Sequence, residues 1–227
     1  MTQLLILADD FTGALDTGVQ FASTGAVTRV ITGQSVSLEA YAGTCEVLVV
    51  DAETRHLTAG EASGIVGGYT TQAVELGIPF LYKKTDSALR GNVGAELAAM
   101  LKASGESQLP FLPAFPQMAR NTVNGIHYIQ GVPVADSVFG RDPFEPVTRS
   151  DVCALIGQQT GLPAVSCAPL TAGTPLPEAD GIWVFDASSV EDLRETGKRL
   201  KQEGKLHILA GCAGFAAVLP ELLNLGT

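Results

Sequence analysis

Short apolar runs that alternate with segments of helical periodicity are the feature that most constrains how this chain can fold. The runs are residues 4–8, 27–32, 47–51, 78–82, 109–113, 164–167, 182–185 and 206–210. Helical spacing of apolar residues is found at 14–22, 65–73, 93–102, 151–159, 193–200 and 213–223. Because the runs are continuously apolar, they indicate strands that are buried on both faces. The sequence therefore predicts an α/β fold, with a mostly parallel, Rossmann-like sheet and helices on both faces.

The stretch 113–146 departs from this alternation and is rich in Pro, Gly, Asn and Arg. Within it, only 126–135 has the pattern of a strand pair, turning at Gln130-Gly131. A long irregular stretch in a compact domain is more often a functional loop than filler. We therefore expect a loop and hairpin insertion around 113–146, inside a single domain that covers 1–227.

Several helix ends are marked by capping residues. Thr58-Ala-Gly-Glu61 and Ser188-Ser-Val-Glu191 have the spacing of a capping box. Asn92 is the expected N-cap of the helix that begins at Val93. Asp186 follows a strand, and a helix cap explains it as well as a ligand site does.

Charge and composition narrow the class of ligand. The chain has 14 Lys and Arg against 24 Asp and Glu, a net charge of -10. This balance argues against a nucleic-acid or anionic-membrane partner, since both need a positive field, but it leaves room for a small anionic ligand.

The four cysteines are scattered and the three histidines isolated, so we expect no metal site. No apolar run is long enough to span a membrane and the N-terminus does not resemble a signal peptide, which predicts a cytoplasmic protein.

Three polar clusters follow predicted strands, at the edge where α/β sheets bind their ligands. Asp9-Asp10-Phe11-Thr12-Gly13 follows the first strand. Its acids are either plain helix caps or site residues, and their place at a strand end favours a site. Asp51 to Arg55 follows the third strand. Arg55 there is either an ordinary surface arginine or a clamp for a carboxylate.

The third cluster is Lys83-Lys84-Thr85-Asp86-Ser87, followed by Arg90. Cations beside a helix N-terminus favour an anion site. The alternative is a solvated turn with an Asp86–Arg90 salt bridge. Weaker candidates of the same kind are Arg120 with Asn121, and Arg141 with Asp142.

Several well-known motifs are missing. The sequence has no G-x-x-x-x-G-K-[ST] phosphate-binding loop and no G-x-G-x-x-G after the first strand. Their absence disfavours a P-loop nucleotide hydrolase and a nicotinamide-dependent oxidoreductase.

With these motifs the chain resembles the N-terminal, sugar-binding half of the four-carbon acid sugar kinases. The resemblance is carried in order by residues 8–16, 83–91, 113–120, 136–143 and 211–215. Ala119 departs from it, because the family pattern has a glycine at that place. The resemblance implies an ATP-dependent carbohydrate kinase that phosphorylates the terminal hydroxyl of a tetronate such as threonate, erythronate or a 3-oxo form.

The resemblance also implies where the substrate binds. The substrate-binding positions are Asp9, Asp10, Arg55, Lys84, Thr85, Asp86, Ser87 and Arg90. We expect Arg55, Lys84 and Arg90 to hold the substrate carboxylate and to neutralise phosphoryl charge. Asp86, or one of Asp9 and Asp10, would orient and deprotonate the attacking hydroxyl as the catalytic residue.

The same resemblance places ATP and Mg2+ mainly on a C-terminal nucleotide-binding domain that is absent from residues 1–227 and is supplied in cis or in trans. The isolated chain is then expected to be inactive or nearly so. The alternative is a non-catalytic acid-sugar-binding or regulatory module. The sequence is compatible with a homo-oligomer and does not indicate which tetronate is used.

Overall fold

One eight-stranded sheet organises the protein, which we describe from a computed structural model over residues 1–226. Its strands are β1 (Leu4–Ala8), β2 (Thr28–Thr32), β3 (Val47–Asp51), β4 (Phe80–Lys84), β5 (Gln108–Leu112), β9 (Ala164–Cys167), β10 (Gly181–Phe185) and β11 (Ile208–Gly211). They lie in the order β2-β3-β1-β4-β11-β5-β10-β9, and every pairing is parallel. A small antiparallel sheet contains β6 (Arg120–Val123), β7 (Ile126–Ile129) and β8 (Val132–Pro133). The predicted α/β architecture and its hairpin insertion are confirmed.

Helices cover both faces of the large sheet. They are α1 (Phe11–Ala22), α2 (Ala59–Glu75), α3 (Val93–Ser104), α4 (Val152–Gly157), α5 (Val190–Gln202), α6 (Ala213–Ala216) and α7 (Leu219–Leu223). Alternate side chains of β1 enter opposite cores. Leu5 and Leu7 pack with α2, α3 and α4, whereas Leu4 and Ile6 pack with α1, α5, α6 and α7. No helix within residues 1–226 is long and apolar enough to cross a membrane.

Most predicted elements begin and end within two residues of the observed bounds. For β4 the shift matters, because the strand was predicted at 78–82 and lies at Phe80–Lys84. Its register pairs Leu4 with Phe80 and Ala8 with Lys84, so the two lysines are strand residues and not loop residues. Successive strand side chains point to opposite faces, and Lys83 and Lys84 are therefore separated.

Two helix predictions at the C-terminal side need correction. The single helix expected at 213–223 is two helices, α6 and α7. Pro220 is in the first turn of α7 and has no N–H to continue a helix from α6. The capping box of α5 lies one residue later than predicted, at Ser189 and Asp192.

Three loop features add detail to the sequence-based expectations, among them Asn92, which is the N-cap of α3 as predicted. The insertion holds an additional strand, β6, that the sequence pattern did not indicate. Asp186 does not cap a helix; its carboxylate accepts hydrogen bonds from the N–H groups of Asn124 and Gly125 and holds the β6–β7 turn. Asn92 begins α3 without a side-chain cap, because its amide donates to the carbonyls of Thr54 and Leu57 in a neighbouring loop.

Candidate functional site

The loops after β1, β3 and β4 meet at the carboxyl edge of the sheet and enclose a cavity of about 190 Å³. It is lined by Asp10, Thr12, Gly13, Asp16, Arg55, Lys84, Asp86, Ser87, Arg90, Phe115, Met118, Arg120 and Ala213. Six of these are predicted substrate-binding residues: Asp10, Arg55, Lys84, Asp86, Ser87 and Arg90. A larger groove of about 890 Å³ lies between α2 and α3 and contains none of the predicted residues. We take the smaller cavity as the site, because it collects the charged groups at the ligand-binding edge of the sheet.

Arg55 lies among three carboxylates. Its Nε and Nη2 donate to the two oxygens of Asp9 at 2.8 and 3.2 Å. Its Nη1 is 3.2 Å from Asp10 Oδ2, and its Nη2 is 3.6 Å from Asp86 Oδ1. Burial alone would lower the pKa of Arg55, but the hydrogen bonds and charge of Asp9, with the charges of Asp86 and Asp10, raise it above its ordinary value. Arg55 is therefore a fixed cation whose charge the protein itself neutralises.

Asp86 and Arg90 form a second fixed pair. Asp86 Oδ2 accepts from Arg90 Nε at 2.8 Å and from the Arg90 backbone N–H at 3.1 Å, while Oδ1 accepts from Arg90 Nη2 at 3.1 Å. Burial opposes ionisation of Asp86, yet the hydrogen bonds from Arg90 and the charges of Arg55 and Arg90 outweigh it and lower its pKa. The Asp86–Arg90 salt bridge, which was the alternative to a site, exists, but it is partly buried and forms part of the cavity wall.

Lys84 differs from both arginines. Its side chain is 5% exposed, and its Nζ donates to the Thr85 carbonyl at 2.8 Å. Among residues 1–226, no carboxylate oxygen lies within 4.0 Å of this ammonium. Gly13 makes room for it, since a Cβ at that position would lie 2.8 Å from Lys84 Nζ and 2.6 Å from Asp10 Oδ1. A buried cation without an anionic partner is costly, and this one lines the cavity.

The insertion contributes a fourth cation, Arg120. Its Nη1 donates to Ser87 Oγ at 2.6 Å, and its guanidinium carbon lies 5.0 Å from the ring centroid of Phe139. Arg90 lies over the same ring at 5.1 Å. Within the described part of the chain, Arg120 has no carboxylate within salt-bridge distance. Arg120 was only a weak candidate in the sequence, where the motif at 113–120 was its one signal.

His127 supports the loop that carries Ser87. The ring is fully buried, with Nε2 2.8 Å from the Ser87 carbonyl oxygen and Nδ1 3.0 Å from Thr122 Oγ1. Because a carbonyl only accepts, Nε2 carries the proton and Nδ1 accepts from the Thr122 hydroxyl. Burial lowers the pKa of His127 to about 4, and the charge of Arg120 adds to the effect. These contacts give His127 a structural role beneath the Ser87 loop.

Asp9, Thr85 and Lys83, all charged or polar residues of the predicted clusters, do not line the cavity. Asp9 is buried behind Arg55. Thr85 is buried, and its backbone N–H donates to Gly211. Lys83 points to the opposite face of the sheet, where its Nζ is 2.8 Å from Glu96 Oε2. The pKa of Glu96 is raised because burial outweighs the charge of Lys83.

The insertion also explains one departure from the family pattern. Ala119 has a φ of +52°, in the left-handed region that glycine adopts at no steric cost. The glycine expected there suits this backbone, and Ala119 keeps the conformation while directing the chain from Met118 to Arg120. Met118, Phe115 and Phe139 lie in segments that carry the family resemblance, 113–120 and 136–143. The sequence assigned them no role at the site, because apolar residues in a loop carry no periodic signal.

No group of three or more His, Cys, Asp or Glu within residues 1–226 is arranged to hold a metal ion. The carboxylates of Asp9, Asp10 and Asp86 converge on Arg55 instead. The described residues therefore do not fit a Mg2+ site of their own. Within residues 1–226, the cavity sets fixed carboxylates beside two cations, Lys84 and Arg120, that have no carboxylate partner, and such an arrangement suits a small anion.

Comparison with known proteins gives a consistent picture. A family model described as the sugar-binding N-terminal domain matches residues 4–219. D-threonate kinase of Salmonella typhimurium is 33% identical over 230 residues, which cover 96% of this chain and 53% of that protein. D-erythronate kinase of Heliobacterium modesticaldum is 31% identical over 207 residues, covering 85% of this chain and 47% of that protein. The chain thus spans about half the length of these relatives.

A solved structure shares the fold over nearly the whole chain. It is a domain of unknown function from Bordetella bronchiseptica with bound citrate, a domain-swapped dimer. The TM-score is 0.87 with 32% sequence identity, covering 98% of this chain and 57% of that one.

Proposed function

The chain belongs to the family of sugar-binding N-terminal domains, and from this we propose that it supplies the acid-sugar site of an ATP-dependent tetronate kinase. The relatives reported above are named as kinases of four-carbon acid sugars, which favours this function over a non-catalytic binding module. The observation that carries the proposal is the buried Lys84 ammonium, which faces a small cavity and has no carboxylate partner among residues 1–226.

Lys84 and Arg120 are assigned to the substrate carboxylate. Arg55 and Arg90 already donate to Asp9 and Asp86, so carboxylates of the protein already neutralise most of their charge. Lys84 and Arg120 have no such partner in the described chain, and charge-assisted hydrogen bonds to an anion are stronger than neutral ones. Arg55 and Arg90 then act by fixing the positions of Asp9, Asp10 and Asp86 at the cavity wall.

Asp10 is assigned to the attacking hydroxyl. Both oxygens of Asp86 are held by Arg90, and its lowered pKa makes it a weak base. Asp10 is 28% exposed at the cavity; its Oδ1 accepts from Gly13 N–H at 3.0 Å and its Oδ2 faces Arg55. In phosphoryl transfer, the position of the nucleophile counts for more than its deprotonation. Asp10 would accept a hydrogen bond from the terminal hydroxyl and hold it in line for attack, with Asp86 keeping Arg55 and Arg90 in place.

The nucleotide is assigned to a separate unit, supplied in cis or in trans. Residues 1–227 lack a phosphate-binding loop motif, and the cavity acids are engaged by arginines. ATP with its Mg2+ would supply the phosphoryl group and its charge neutralisation. Residues 1–227 would then bind the acid sugar but turn over poorly when isolated, because transfer needs both reactants positioned together.

Thermal unfolding of the 227-residue chain tests this assignment against D- and L-threonate, D- and L-erythronate and 3-oxo-tetronates, each with and without Mg-ATP. A ligand at 100 times its dissociation constant stabilises the folded state by about 2.7 kcal/mol. One or more acid sugars should therefore raise the melting temperature, and ATP should not.

Two variants and a matched control identify the anion-binding residues. Lys84→Met and Arg120→Ala should each weaken binding of the acid sugar by about 10- to 100-fold, the value of a charge-assisted hydrogen bond. Lys201→Met, an exposed lysine on α5, should leave it unchanged. Wild-type affinity in Lys84→Met, or a melting shift with ATP alone, would contradict the proposed division of roles.

A further inference from the structure

The outer face of α1 carries an unpartnered apolar stripe. Phe11, Leu15 and Val19 are 54%, 41% and 62% exposed and recur every fourth residue, so they lie on one face of the helix. The opposite face of α1 is also apolar or small and is buried against the sheet through Ala14, Gly18 and Phe21. A helix that is apolar on both faces is typical of one buried between two layers.

The stripe begins beside the cavity. Asp10, which lines the cavity, is the N-cap of α1. The face of α1 next to the stripe carries Thr12 and Asp16, which also line the cavity. Met118, 48% exposed, is a further exposed apolar side chain that lines the same cavity. A protein domain that covers the stripe would therefore also border the cavity, where the substrate is proposed to bind.

The other end of the stripe lies where the described chain ends. A Cβ on Gly25, just after α1, would be 3.1 Å from the carbonyl oxygen of Gly226. The N–H of Gly226 donates to Glu46 Oε1 at 3.3 Å, which fixes the segment there. The Salmonella typhimurium relative has nearly as many residues again outside its matched 53%. A polypeptide continuing from Gly226 would start at the C-terminal end of α1.

Gly226 and the cavity lie near opposite ends of this helix. At 1.5 Å per residue, α1 spans about 18 Å. For a unit tethered at one end of α1 that delivers a phosphoryl group at the other end, the most direct path lies along this helix. A unit that lies along α1 would pack against the exposed stripe. Exposed apolar patches on folded domains often mark interaction sites.

We propose that the Phe11–Leu15–Val19 face of α1 is the docking surface for the nucleotide-binding unit of the kinase. This rests on the proposed function, since it takes that unit as the occupant. The contact is an apolar face on the partner, packed along α1, with its nucleotide held over Asp10 and Lys84. A second copy of this chain is the competing occupant.

Photo-crosslinking in the complete kinase, with the nucleotide-binding unit in cis or in trans, tests the contact directly. Val19 is exchanged for p-benzoylphenylalanine, and in a matched control Val74 is exchanged in the same way. Val74 is a 49% exposed valine on α2, which packs on the opposite face of the sheet. After irradiation, mass spectrometry should find position 19 joined to the nucleotide-binding unit and position 74 not.

Crosslinks from position 19 to another copy of α1, no crosslink, or equal crosslinking from position 74 would each overturn the docking proposal. A parallel variant, Leu15→Glu with Val19→Glu, should lower turnover by the complete kinase at least tenfold. It should leave acid-sugar affinity of the 227-residue chain unchanged, and Val74→Glu should alter neither.

The two proposals fail differently. A crosslink to the nucleotide-binding unit in a protein that binds no acid sugar would overturn the proposed function and leave the docking surface standing. Normal acid-sugar phosphorylation without that crosslink would overturn the docking surface alone.

Discussion

Arg55 and Asp9 join the loops after β3 and β1 by a bidentate ion pair, with Nε–Oδ2 at 2.8 Å and Nη2–Oδ1 at 3.2 Å. The backbone strengthens the junction, because the Asp9 carbonyl accepts from the N–H groups of Thr54 and Arg55. Gly91 lets the next loop close over the pair, since a Cβ there would lie 3.2 Å from Arg55 Cγ and 3.4 Å from Asp9 Oδ2. Two of the predicted site residues are thus the scaffold on which the cavity is built.

Asp9→Asn should lower stability more than any surface charge change. Removing one partner of a buried ion pair costs about 3–5 kcal/mol, and the lower end applies because Asp10 and Asp86 still face Arg55. For a domain of this size, 3 kcal/mol corresponds to a melting temperature lower by about 6–12 °C. Calorimetry or circular dichroism measures the melting temperature of Asp9→Asn and of the wild type.

Glu195→Gln is the control for Asp9→Asn. This variant breaks the exposed ion pair in which Lys198 Nζ lies 2.8 Å from Glu195 Oε1. It should change the free energy of unfolding by less than about 0.5 kcal/mol. Equal melting shifts in the two variants would show that the Arg55–Asp9 pair is not a scaffold.

Gly13→Ala should damage binding. The added methyl group would lie 2.6 Å from Asp10 Oδ1 and 2.8 Å from Lys84 Nζ, so the ammonium has to move. We expect acid-sugar affinity to fall about tenfold or more in a calorimetric titration.

The matched change is Gly64→Ala in the interior of α2, where an added Cβ meets no atom within 4 Å. It should stabilise the protein by about 0.5–1 kcal/mol, because alanine restricts the unfolded chain, and it should leave acid-sugar affinity as it is. If Gly13→Ala binds the acid sugar like Gly64→Ala, the close approach of Lys84 to α1 has no role in binding.

His127 should make stability fall as the solution is acidified. Its pKa is about 4 in the folded protein, and burial is the main cause; the ordinary value is about 6.5. Below pH 6.5 the unfolded chain therefore binds a proton that the folded protein does not. The free energy of unfolding falls as pH drops from 6.5 towards 4, by about 3 kcal/mol in all from this group.

Urea unfolding between pH 4 and pH 7 checks this sign with two variants. His127→Gln removes the titrating group, so its stability should fall less than that of the wild type over this range. His207→Gln, on the exposed edge of the domain, should follow the wild type. Parallel pH profiles for the wild type and His127→Gln would contradict the buried, neutral state of His127.

Much of the fold follows from local sequence. The continuous apolar runs at Leu4–Ala8 and Val47–Asp51 predict buried parallel strands with their observed bounds. Thr58 and Glu61 form the predicted capping box at the start of α2. These features depend on neighbours within a few positions, so periodicity and capping chemistry are sufficient to predict them.

The sequence also placed the polar clusters at strand ends, and the common edge of a parallel sheet brings Asp10, Arg55 and Lys84 together. The tertiary structure decided which acidic and basic side chains pair with one another. The alternation of β4 directs Lys83 to Glu96 and leaves Lys84 at the cavity, where no carboxylate of the described residues pairs with it. Arg55 meets Asp9 across 46 positions, and Arg120 reaches Ser87 across 33. Electrostatic pairing acts through space and sheet register, neither of which is encoded in the spacing of residues along the chain.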